Sequence, residues 1–287
     1  MQIVRTVAEM RRVSRDVREG VGARVWGLVP TMGALHAGHT SLVKAAKAQC
    51  DVVVVSVFVN PLQFAPHEDF AQYPVTVDED CRLLEQEGVD IVFSPRILEM
   101  YPEGAGTFVD VGSVGERLDG ASRPGHFRGV ATVVAKLFHI VGAHRAYFGQ
   151  KDAAQVAVLR AMVLDLNFGV ELMVCPTVRD ADGLALSSRN RYLSAEERVR
   201  ALALPRALRC VELAVREGER DAAKLRGILV AELPAEDVRL DYAEVVDADT
   251  LLPVSDVRKG ALVAVAGWVG TTRLIDNAVI AAERGAR

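Results

Sequence analysis

The feature that most constrains the fold is the run DVVVVSVFV at residues 51–59, which is apolar on both of its faces. β-Branched residues dominate it, and a strand of this kind is buried on both sides, as the central strands of parallel sheets are. The run is too short to span a bilayer. It therefore predicts a parallel sheet with helices packed on both faces.

Strand-like and helix-like segments alternate around this run. The predicted order is strand 24–29, helix 39–50, strand 51–59, helix 78–88, strand 89–95, helix 126–141, strand 146–149, helix 152–166 and strand 170–175. Such alternation is typical of a doubly wound, parallel α/β sheet.

The pattern changes past about residue 190. Two helical segments, 195–217 and 221–232, precede three strand-like segments at 239–247, 260–270 and 271–280. Helices followed by strands indicate an α+β unit. We place a boundary in the polar stretch VRDADG, which gives a larger domain of residues 1–179 and a smaller one of residues 180–287.

Composition excludes several classes of protein. The net charge of -4 argues against a nucleic-acid binder, and the charged N-terminus has no apolar signal segment. The four cysteines are scattered without C-x-x-C spacing, which predicts neither a disulfide framework nor a zinc site. We therefore predict a cytoplasmic protein without a membrane or nucleic-acid partner.

Four polar stretches follow predicted strands directly. They are PTMGALHAGH (30–39), NPLQF (60–64), GQKDAAQ (149–155) and PTVRDADGLALSSRN (176–190). Ligands of open α/β sheets bind outside the carboxyl ends of the strands. We therefore expect these stretches to meet at one edge of the sheet and to form an active site.

The first stretch has the spacing of a phosphate-binding loop with one change. From Gly33 it follows G-x-x-x-x-G, but His39 stands where a P-loop has lysine. A helix that begins at about Gly38 or His39 turns N–H groups and its positive dipole end toward an anion. His36 lies three residues before His39, so both neutral rings can donate to one phosphate. The plainer alternative is one histidine that caps the helix beside an exposed one.

The other stretches supply polar groups that also have ordinary explanations. Gln63 presents an amide to a carboxylate or hydroxyl, or simply belongs to a turn. Lys151 supplies a point charge for phosphate while Asp152 caps the next helix, although a solvated lysine fits the spacing equally well. The loop 186–190 offers hydroxyl and guanidinium donors for phosphate, or serves as a polar linker.

An acidic run, Asp78-Glu79-Asp80, stands at the start of a predicted helix. It suits a nearby magnesium ion, but favourable charge in the first turn of the helix is the simpler interpretation.

Five motifs together resemble one family. PTMGALHAGH, SVFVNPLQF, RPGHFRGVATVV, YFGQKDAAQ and LSSRNRYLS are similar, in order and spacing, to motifs of the pantoate–β-alanine ligases, over nearly the whole chain. The H-x-G-H element alone is less specific, because a wider nucleotidyltransferase superfamily shares it. The resemblance implies a Rossmann-like sheet domain that binds nucleotide and pantoate, with a second, smaller α+β domain as a lid.

The resemblance also implies a two-step reaction. Pantoate carboxylate attacks the α-phosphate of ATP to give pantoyl adenylate and pyrophosphate, and β-alanine then displaces AMP to give pantothenate. No side-chain nucleophile is needed, so positioning and charge stabilisation dominate.

Residue roles carry over position by position. The implied catalytic residues are His39, His36, Lys151 and Arg189. The implied ATP-binding residues are Met32, Gly33, Ala34, Leu35, His36, Ala37, Gly38, His39, Gly149, Gln150, Lys151, Asp152, Val178, Leu186, Ser187, Ser188 and Arg189. The implied substrate side consists of Gln63, Gln155, Asn60, Tyr73 and Arg123.

Mg²⁺ is expected as the counterion of ATP, and its protein ligands are left open. The resemblance implies acidic ligands near Glu79 and Asp80 in some family members, but Leu83 stands where a polar neighbour is expected. A homodimer is implied by the family alone. Two alternatives are nucleotidyl transfer onto a phosphate-bearing acceptor and a nucleotide-binding regulator without catalysis. Glutamines at 63 and 155 suit a small hydroxy acid and favour the ligase.

Overall fold

The computed structural model describes residues 1–18, 24–65, 70, 73–234 and 237–283. The chain divides into two compact units, residues 1–149 with 158–175, and residues 150–157 with 176–287. The predicted domain boundary after residue 179 stays a prediction.

The first unit is built on a parallel sheet. Its strands are β1 (Gln2–Val4), β2 (Trp26–Thr31), β3 (Val52–Val57), β4 (Ile91–Phe93), β5 (Arg145–Gly149) and β6 (Glu171–Cys175). Among the described residues they form one six-stranded sheet in the order β1-β4-β3-β2-β5-β6, with every pairing parallel. The predicted parallel α/β sheet is confirmed.

Helices alternate with these strands. They are α1 (Val7–Arg18), α2 (Ala37–Gln49), α3 (Val77–Gln86), α4 (Ile97–Met100), α5 (Asp119–Ser122), α6 (His126–Val141) and α7 (Ala153–Asp165), with 3₁₀ turns at Pro61–Gln63, Gly112–Glu116 and Gln150–Asp152.

Strand β3 occupies the interior of the sheet, as its composition predicts. Val53, Val55 and Val57 share a core with Leu42 of α2 and Leu84 of α3. The alternate residues of β3 point to the opposite face and are buried as well. Burial on both faces explains why the strand is apolar throughout.

The N-terminal elements have no counterpart in the sequence prediction. β1 pairs in parallel with β4 at the edge of the sheet, and α1 packs against α6. β1 is three residues long, with only Val4 buried. A strand so short and exposed has too little periodicity to be recognised.

The second unit combines helices with an antiparallel sheet. Its elements are a 3₁₀ turn at Ser188–Tyr192, the helices α8 (Ala195–Ala201), α9 (Ala203–Arg216) and α10 (Ala222–Ala231), and the strands β7 (Arg239–Val246), β8 (Ala261–Val269) and β9 (Thr272–Ile280). The described strands lie in the order β7-β8-β9. Leu204, Leu225 and Leu229 pack in one core with Leu274 and Ile280 of β9. The predicted α+β character is confirmed.

The single helix predicted at 195–217 is wrong, because two helices meet at Leu202. Pro205 has no N–H to donate to the carbonyl of Ala201, four residues earlier. The first helix therefore ends at Ala201, and the proline lies in the first turn of α9, where it is tolerated.

A membrane span requires a helix that is both long and apolar. None of the described helices meets both requirements.

Candidate active site

The carboxyl ends of β2, β3, β5 and β6 lie side by side. These four strands are consecutive in the sheet order and parallel to one another. They are the strands after which the four polar stretches were recognised. Parallel neighbours end at the same edge, so the expected placement of the strand ends is confirmed.

The first polar stretch connects β2 to α2, whose N-cap residue is His36. The helix therefore begins at Ala37, one or two residues earlier than predicted. The cause is local, because Nδ1 of His36 accepts a hydrogen bond from the Gly38 N–H at 3.1 Å. The ring does what a serine or aspartate does at many helix starts.

His39 completes a reciprocal cap. Its Nδ1 accepts from the backbone N–H of His36 at 3.3 Å, and the ring centroids of the two histidines lie 4.2 Å apart. A neutral imidazole that accepts at Nδ1 carries its proton on Nε2. The backbone thereby makes Nε2–H the donor of each ring. The plainer alternative of one capping and one exposed histidine is wrong, because both rings take part in the cap and both are partly buried.

The loop before the helix is held by Asp80 of α3, which is 3% exposed. Its Oδ2 accepts from Ala34 N at 3.0 Å, and its Oδ1 accepts from Leu35 N at 2.8 Å. Thr76 Oγ1 donates to Oδ2 at 3.1 Å. Gly33 lies in the left-handed region at φ 85, and a Cβ there would lie 3.0 Å from Oδ2. The carboxylate therefore shapes a turn that favours glycine.

The acidic run was interpreted as first-turn charge, and this is incomplete. Asp78 and Glu79 are exposed in the first turn of α3, whereas Asp80 is turned inward onto the loop. Within the described residues, no group of three or more His, Cys, Asp or Glu side chains is arranged to hold a metal ion. The bonds of Asp80 therefore go to the loop, and the described residues form no three-ligand metal group around it.

The second polar stretch carries Gln63 on a 3₁₀ turn after β3. Asn60, 1% exposed, donates from Nδ2 to Gln63 Oε1 at 3.1 Å and to the Gly129 carbonyl at 3.0 Å. Gln63 Nε2 donates toward Met32 Sδ at 3.0 Å. Asn60 therefore fixes the orientation of the Gln63 amide, with Oε1 toward Asn60 and Nε2 toward Met32.

The hydroxyl of Tyr101 donates to Asn60 Oδ1 at 2.9 Å. Burial raises the pKa of Tyr101 above its ordinary value, so this donor stays protonated at neutral pH. Tyr73 packs edge-on against Phe64, the residue after Gln63, with centroids 5.9 Å apart. Aromatic side chains thus contact the residues at both ends of the turn, Asn60 and Phe64.

Arg123 and His126 hold the backbone of the same turn. Arg123 Nη2 donates to the Gln63 carbonyl at 3.2 Å, and Nη1 lies 3.1 Å from His126 Nε2. A guanidinium can only donate, so His126 Nε2 accepts and its Nδ1–H donates to the Gln63 carbonyl at 2.8 Å. The tautomer of His126 is therefore opposite to that of His36 and His39.

Helix α6 approaches this turn closely at Gly129. A Cβ at Gly129 would lie 2.2 Å from the Leu62 carbonyl oxygen and 2.6 Å from Gln63 N. Only glycine permits this approach. Beside it opens a cavity of about 290 Å³, lined in part by Gln63, Phe108 and Arg123. A small organic acid would fit a cavity of this size.

Apart from Gly149, the third polar stretch lies in the second unit, on the turn before α7 and the first turn of that helix. Lys151 Nζ lies 3.2 Å from Asp152 Oδ1, and the lysine side chain is 20% exposed. The carbonyls of Gln150 and Lys151 each accept from Asn277 Nδ2, at 2.9 and 3.0 Å. Gln155 is half-buried on the first turn of α7. The turn therefore carries the partly buried ammonium group of Lys151 on a backbone that Asn277 holds in place.

The fourth polar stretch forms a narrow hairpin in the same unit. Leu186 N donates to the Val178 carbonyl at 2.9 Å, and Arg179 and Ala185 form an isolated antiparallel β-bridge. Ser187 then caps the 3₁₀ turn by accepting the Arg189 N–H at 3.2 Å. The two serines and the arginine therefore follow directly from a braced stem.

The predicted site residues fall into two groups. Met32 to His39, Asn60, Gln63, Tyr73, Arg123 and Gly149 belong to the first unit, and Gln150, Lys151, Asp152, Gln155, Val178 and Leu186 to Arg189 belong to the second. Sequence reasoning missed the bracing role of six residues, which are Asp80, His126, Gly129, Arg179, Asp276 and Asn277. The polar pair in LIDNAVI (274–280) is the clearest signal that was overlooked.

Comparison with known proteins decides the family. The model of the pantoate-beta-alanine ligase family matches residues 2–279. The chain belongs to the pantoate–β-alanine ligase family. Membership makes it an enzyme that joins the carboxyl group of pantoate to the amine of β-alanine. The family excludes both alternatives, the nucleotidyltransferase and the regulator.

Individual relatives agree with this assignment. The pantothenate synthetase of Acidobacterium capsulatum is 60% identical, with 98% of this chain and 97% of the relative covered. A pantothenate synthetase structure from Thermus thermophilus superposes with a TM-score of 0.90 at 48% identity, covering 97% of this chain and 99% of that chain. The ligase of Francisella tularensis, complexed with beta-gamma ATP and β-alanine, has a TM-score of 0.78 at 32% identity, with 97% of each chain covered.

Proposed function

We propose that this ligase activates pantoate as an adenylate. In the first step a pantoate carboxylate oxygen bonds to the α-phosphorus of ATP, and the bond to the β-phosphate oxygen breaks with release of pyrophosphate. In the second step the β-alanine nitrogen bonds to the acyl carbon, the bond to AMP breaks, and the amine loses a proton. The arrangement of His36 and His39 at the start of α2 is the observation that carries this proposal.

The histidine pair suits a polyphosphate for two reasons. The start of α2 supplies backbone N–H groups and a positive dipole end, and the caps turn both Nε2–H groups into donors. Negative charge grows on the β-phosphate as pyrophosphate leaves. Donors fixed before the reaction stabilise that charge without reorganisation. We assign Met32 to His39 to this role, with His36 and His39 as donors.

We assign Gly149 of the first unit to ATP, together with Gln150 to Asp152, Val178 and Leu186 to Arg189 of the second unit. Lys151 and Arg189 supply fixed positive charge, which the histidines lack. The ATP-containing complex of the Francisella ligase supports nucleotide binding by this family. The lid role of the second unit stays a prediction.

We assign pantoate to Gln63, on the 3₁₀ turn after β3, and to Gln155, on α7. Gln63 and Gln155 present amides that suit a carboxylate and hydroxyls, and Gln63 also lies on the β-alanine side. The bonds from Asn60, Arg123 and His126 support this assignment, because they hold Gln63 from both its amide and its carbonyl. Asn60 and Arg123 therefore act on the substrate through Gln63, with Tyr73 beside them.

Mg²⁺ enters this proposal as the counterion of ATP, where it neutralises phosphate charge. A cytoplasmic location and a homodimer also remain proposals. The described cysteines at 50, 81, 175 and 210 are all free, which supports a reducing compartment. Sedimentation equilibrium would test the dimer, since a dimer has twice the 31.0 kDa mass of one chain.

The proposed adenylation is tested by following pyrophosphate with one substrate omitted at a time. Pyrophosphate should form with ATP, Mg²⁺ and pantoate before β-alanine is added, and pantothenate only afterwards. Lys151→Ala should lower kcat on the order of 10²–10³-fold. Lys44→Ala is the matched control, because that lysine is 66% exposed on the surface of α2. Pyrophosphate formation without pantoate would overturn the proposal.

A further inference from the structure

Strand β9 carries two adjacent polar residues that are almost completely buried. Asp276 is 3% exposed and Asn277 is 5% exposed, between apolar neighbours. Adjacent residues of a strand point to opposite faces, so Asp276 shares the face of Leu274 and Ala278, which belong to the core. Burying a polar group is unfavourable unless it is hydrogen-bonded. The partners of this pair therefore indicate why it is retained.

Asn277 is bonded to the turn that carries Lys151. Its Nδ2 donates to the carbonyls of Gln150 at 2.9 Å and of Lys151 at 3.0 Å. Its Oδ1 accepts from Gln150 Nε2 at 3.1 Å. One side chain thus fixes two consecutive peptide groups, and with them the point from which the lysine side chain extends.

Asp276 is bonded to the stem of the hairpin that carries Arg189. Its carboxylate accepts two bonds from Arg179, at 2.6 Å from Nη1 and 2.9 Å from Nη2. Arg179 Nη1 also donates to the Gly183 carbonyl at 3.1 Å, across the hairpin. A bidentate arginine–carboxylate pair fixes orientation as well as distance. The hairpin stem is therefore held at a defined angle to β9.

The two anchors are themselves joined. Asp276 Oδ1 accepts from the backbone N–H of Asn277 at 2.8 Å, and both residues pair with β8 through the sheet ladder. All these partners lie within the second unit. The turn 150–152 and the hairpin 178–186 are thus fixed to neighbouring residues of one strand, on its opposite faces.

We propose that Asp276 and Asn277 are positioning residues, which set the placement of Lys151 and Arg189 for phosphate binding from one strand. This inference rests on the proposed assignment of Lys151 and Arg189 to ATP. The pair acts through these two side chains and not by contact with a substrate. A displacement of about 1 Å at a phosphate donor can cost on the order of 10²-fold in rate.

The sharpest variant is Asn277→Asp, which keeps size and the acceptor but cannot donate to the two carbonyls. We expect kcat/KM for ATP, measured by pyrophosphate release, to fall on the order of 10–10²-fold, with KM for β-alanine unchanged. Arg179→Lys is the second variant. It keeps the positive charge beside Asp276 but loses the paired N–H donors of the guanidinium. It should raise KM for ATP in a protein that still folds.

The matched control is Arg273→Met on the same strand. Arg273 donates from Nε and Nη2 to Asp241 of β7, at 2.9 and 2.7 Å. Its loss weakens the packing of β9 without removing either loop anchor. Melting temperature is measured for every variant. The control should keep wild-type kinetic constants even where its Tm falls.

A double-mutant cycle separates positioning from general damage. If Asn277 acts through Lys151, Asn277→Asp should cost much less in a Lys151→Ala background than in the wild type. Additive effects would overturn the inference, as would wild-type kinetics in Asn277→Asp when Lys151→Ala alone is impaired. In that second case the assignment of Lys151 to ATP stands. Wild-type activity in Lys151→Ala would overturn both the assignment and the inference.

Discussion

The rings of His36 and His39 stand 4.2 Å apart, and the Nδ1 of His39 accepts the backbone N–H of His36. Because the Nδ1 of His36 accepts as well, from Gly38, the helix start fixes the tautomer of both rings. A P-loop meets phosphate with a lysine charge, whereas the function that we propose has this loop meet it with two oriented neutral donors. We therefore propose a different kind of phosphate site here and not a defective P-loop.

His39→Ala tests the donor role directly. We expect kcat for pyrophosphate formation to fall on the order of 10²–10³-fold, as for other lost transition-state donors. Stability should fall by about 0.5–2 kcal/mol, since one half of the cap is removed. His139→Ala is the control, because that histidine is exposed in the last turn of α6. Equal kcat in the two variants would contradict the role of His39.

Asp80→Asn distinguishes a loop brace from a metal ligand. The amide can accept only at its oxygen, so at least one of the Ala34 and Leu35 N–H bonds is lost. We expect a loss of about 1–3 kcal/mol in unfolding free energy and a raised KM for ATP. Asp78→Asn, in the exposed first turn of the same helix, should leave the KM for ATP unchanged and cost no more than about 0.3–1 kcal/mol, as a lost first-turn charge does.

A magnesium titration completes that test. If Asp80 braces the loop, its variant should stay impaired at every Mg²⁺ concentration, because the lost bonds are to backbone. Restoration of the ATP KM at high Mg²⁺ would show instead that Asp80 is a metal ligand.

Gly129→Ala tests how closely α6 must approach the Gln63 turn. A Cβ there would lie 2.2 Å from the Leu62 carbonyl, so the turn has to move. We expect KM for pantoate to rise and stability to fall by about 1–3 kcal/mol, as in other overpacked sites. Gly227→Ala on α10 is the control, since nothing lies within 4 Å of its Cβ. There alanine should leave the kinetics unchanged and stabilise the helix.

The Tyr101 hydroxyl gives the protein a specific dependence on alkaline pH. Burial raises the pKa of Tyr101 above the ordinary 10.0, so above that pH the unfolded chain releases a proton that the folded chain keeps. The contribution of this group is complete below pH 10.0 and declines at higher pH, by up to about 1.4 kcal/mol per pH unit. Unfolding free energies measured between neutral pH and about pH 11 should therefore fall less steeply for Tyr101→Phe than for the wild type. Identical slopes would contradict the burial of this hydroxyl.

Local patterns were enough to predict the sheet and its polar edge. The apolar composition of the run at 51–59 is enough to predict that it is buried. The glycines and histidines of 33–39 lie within a few residues of one another, so they form a local motif. The motifs at 60–64, 149–155 and 186–190 were found for the same reason. Each is a contiguous stretch that follows a strand.

The braces of the site could not be predicted in this way. Asp80 contacts a loop 46 positions before it, and Asn277 contacts a turn 127 positions before it. Their chemistry is ordinary, and only the fold brings them to their partners. Pro205, in the first turn of α9, was by contrast visible in the sequence, and its missing N–H predicts the break between α8 and α9.

The central claim is that a pantoate carboxylate oxygen bonds to the α-phosphorus of ATP. It is tested most directly with pantoate labelled with ¹⁸O in its carboxylate, turned over with ATP, Mg²⁺ and β-alanine. Mass spectrometry should find one ¹⁸O in AMP and the other in the amide carbonyl of pantothenate. Label in inorganic phosphate or pyrophosphate, with unlabelled AMP, would contradict the adenylate pathway.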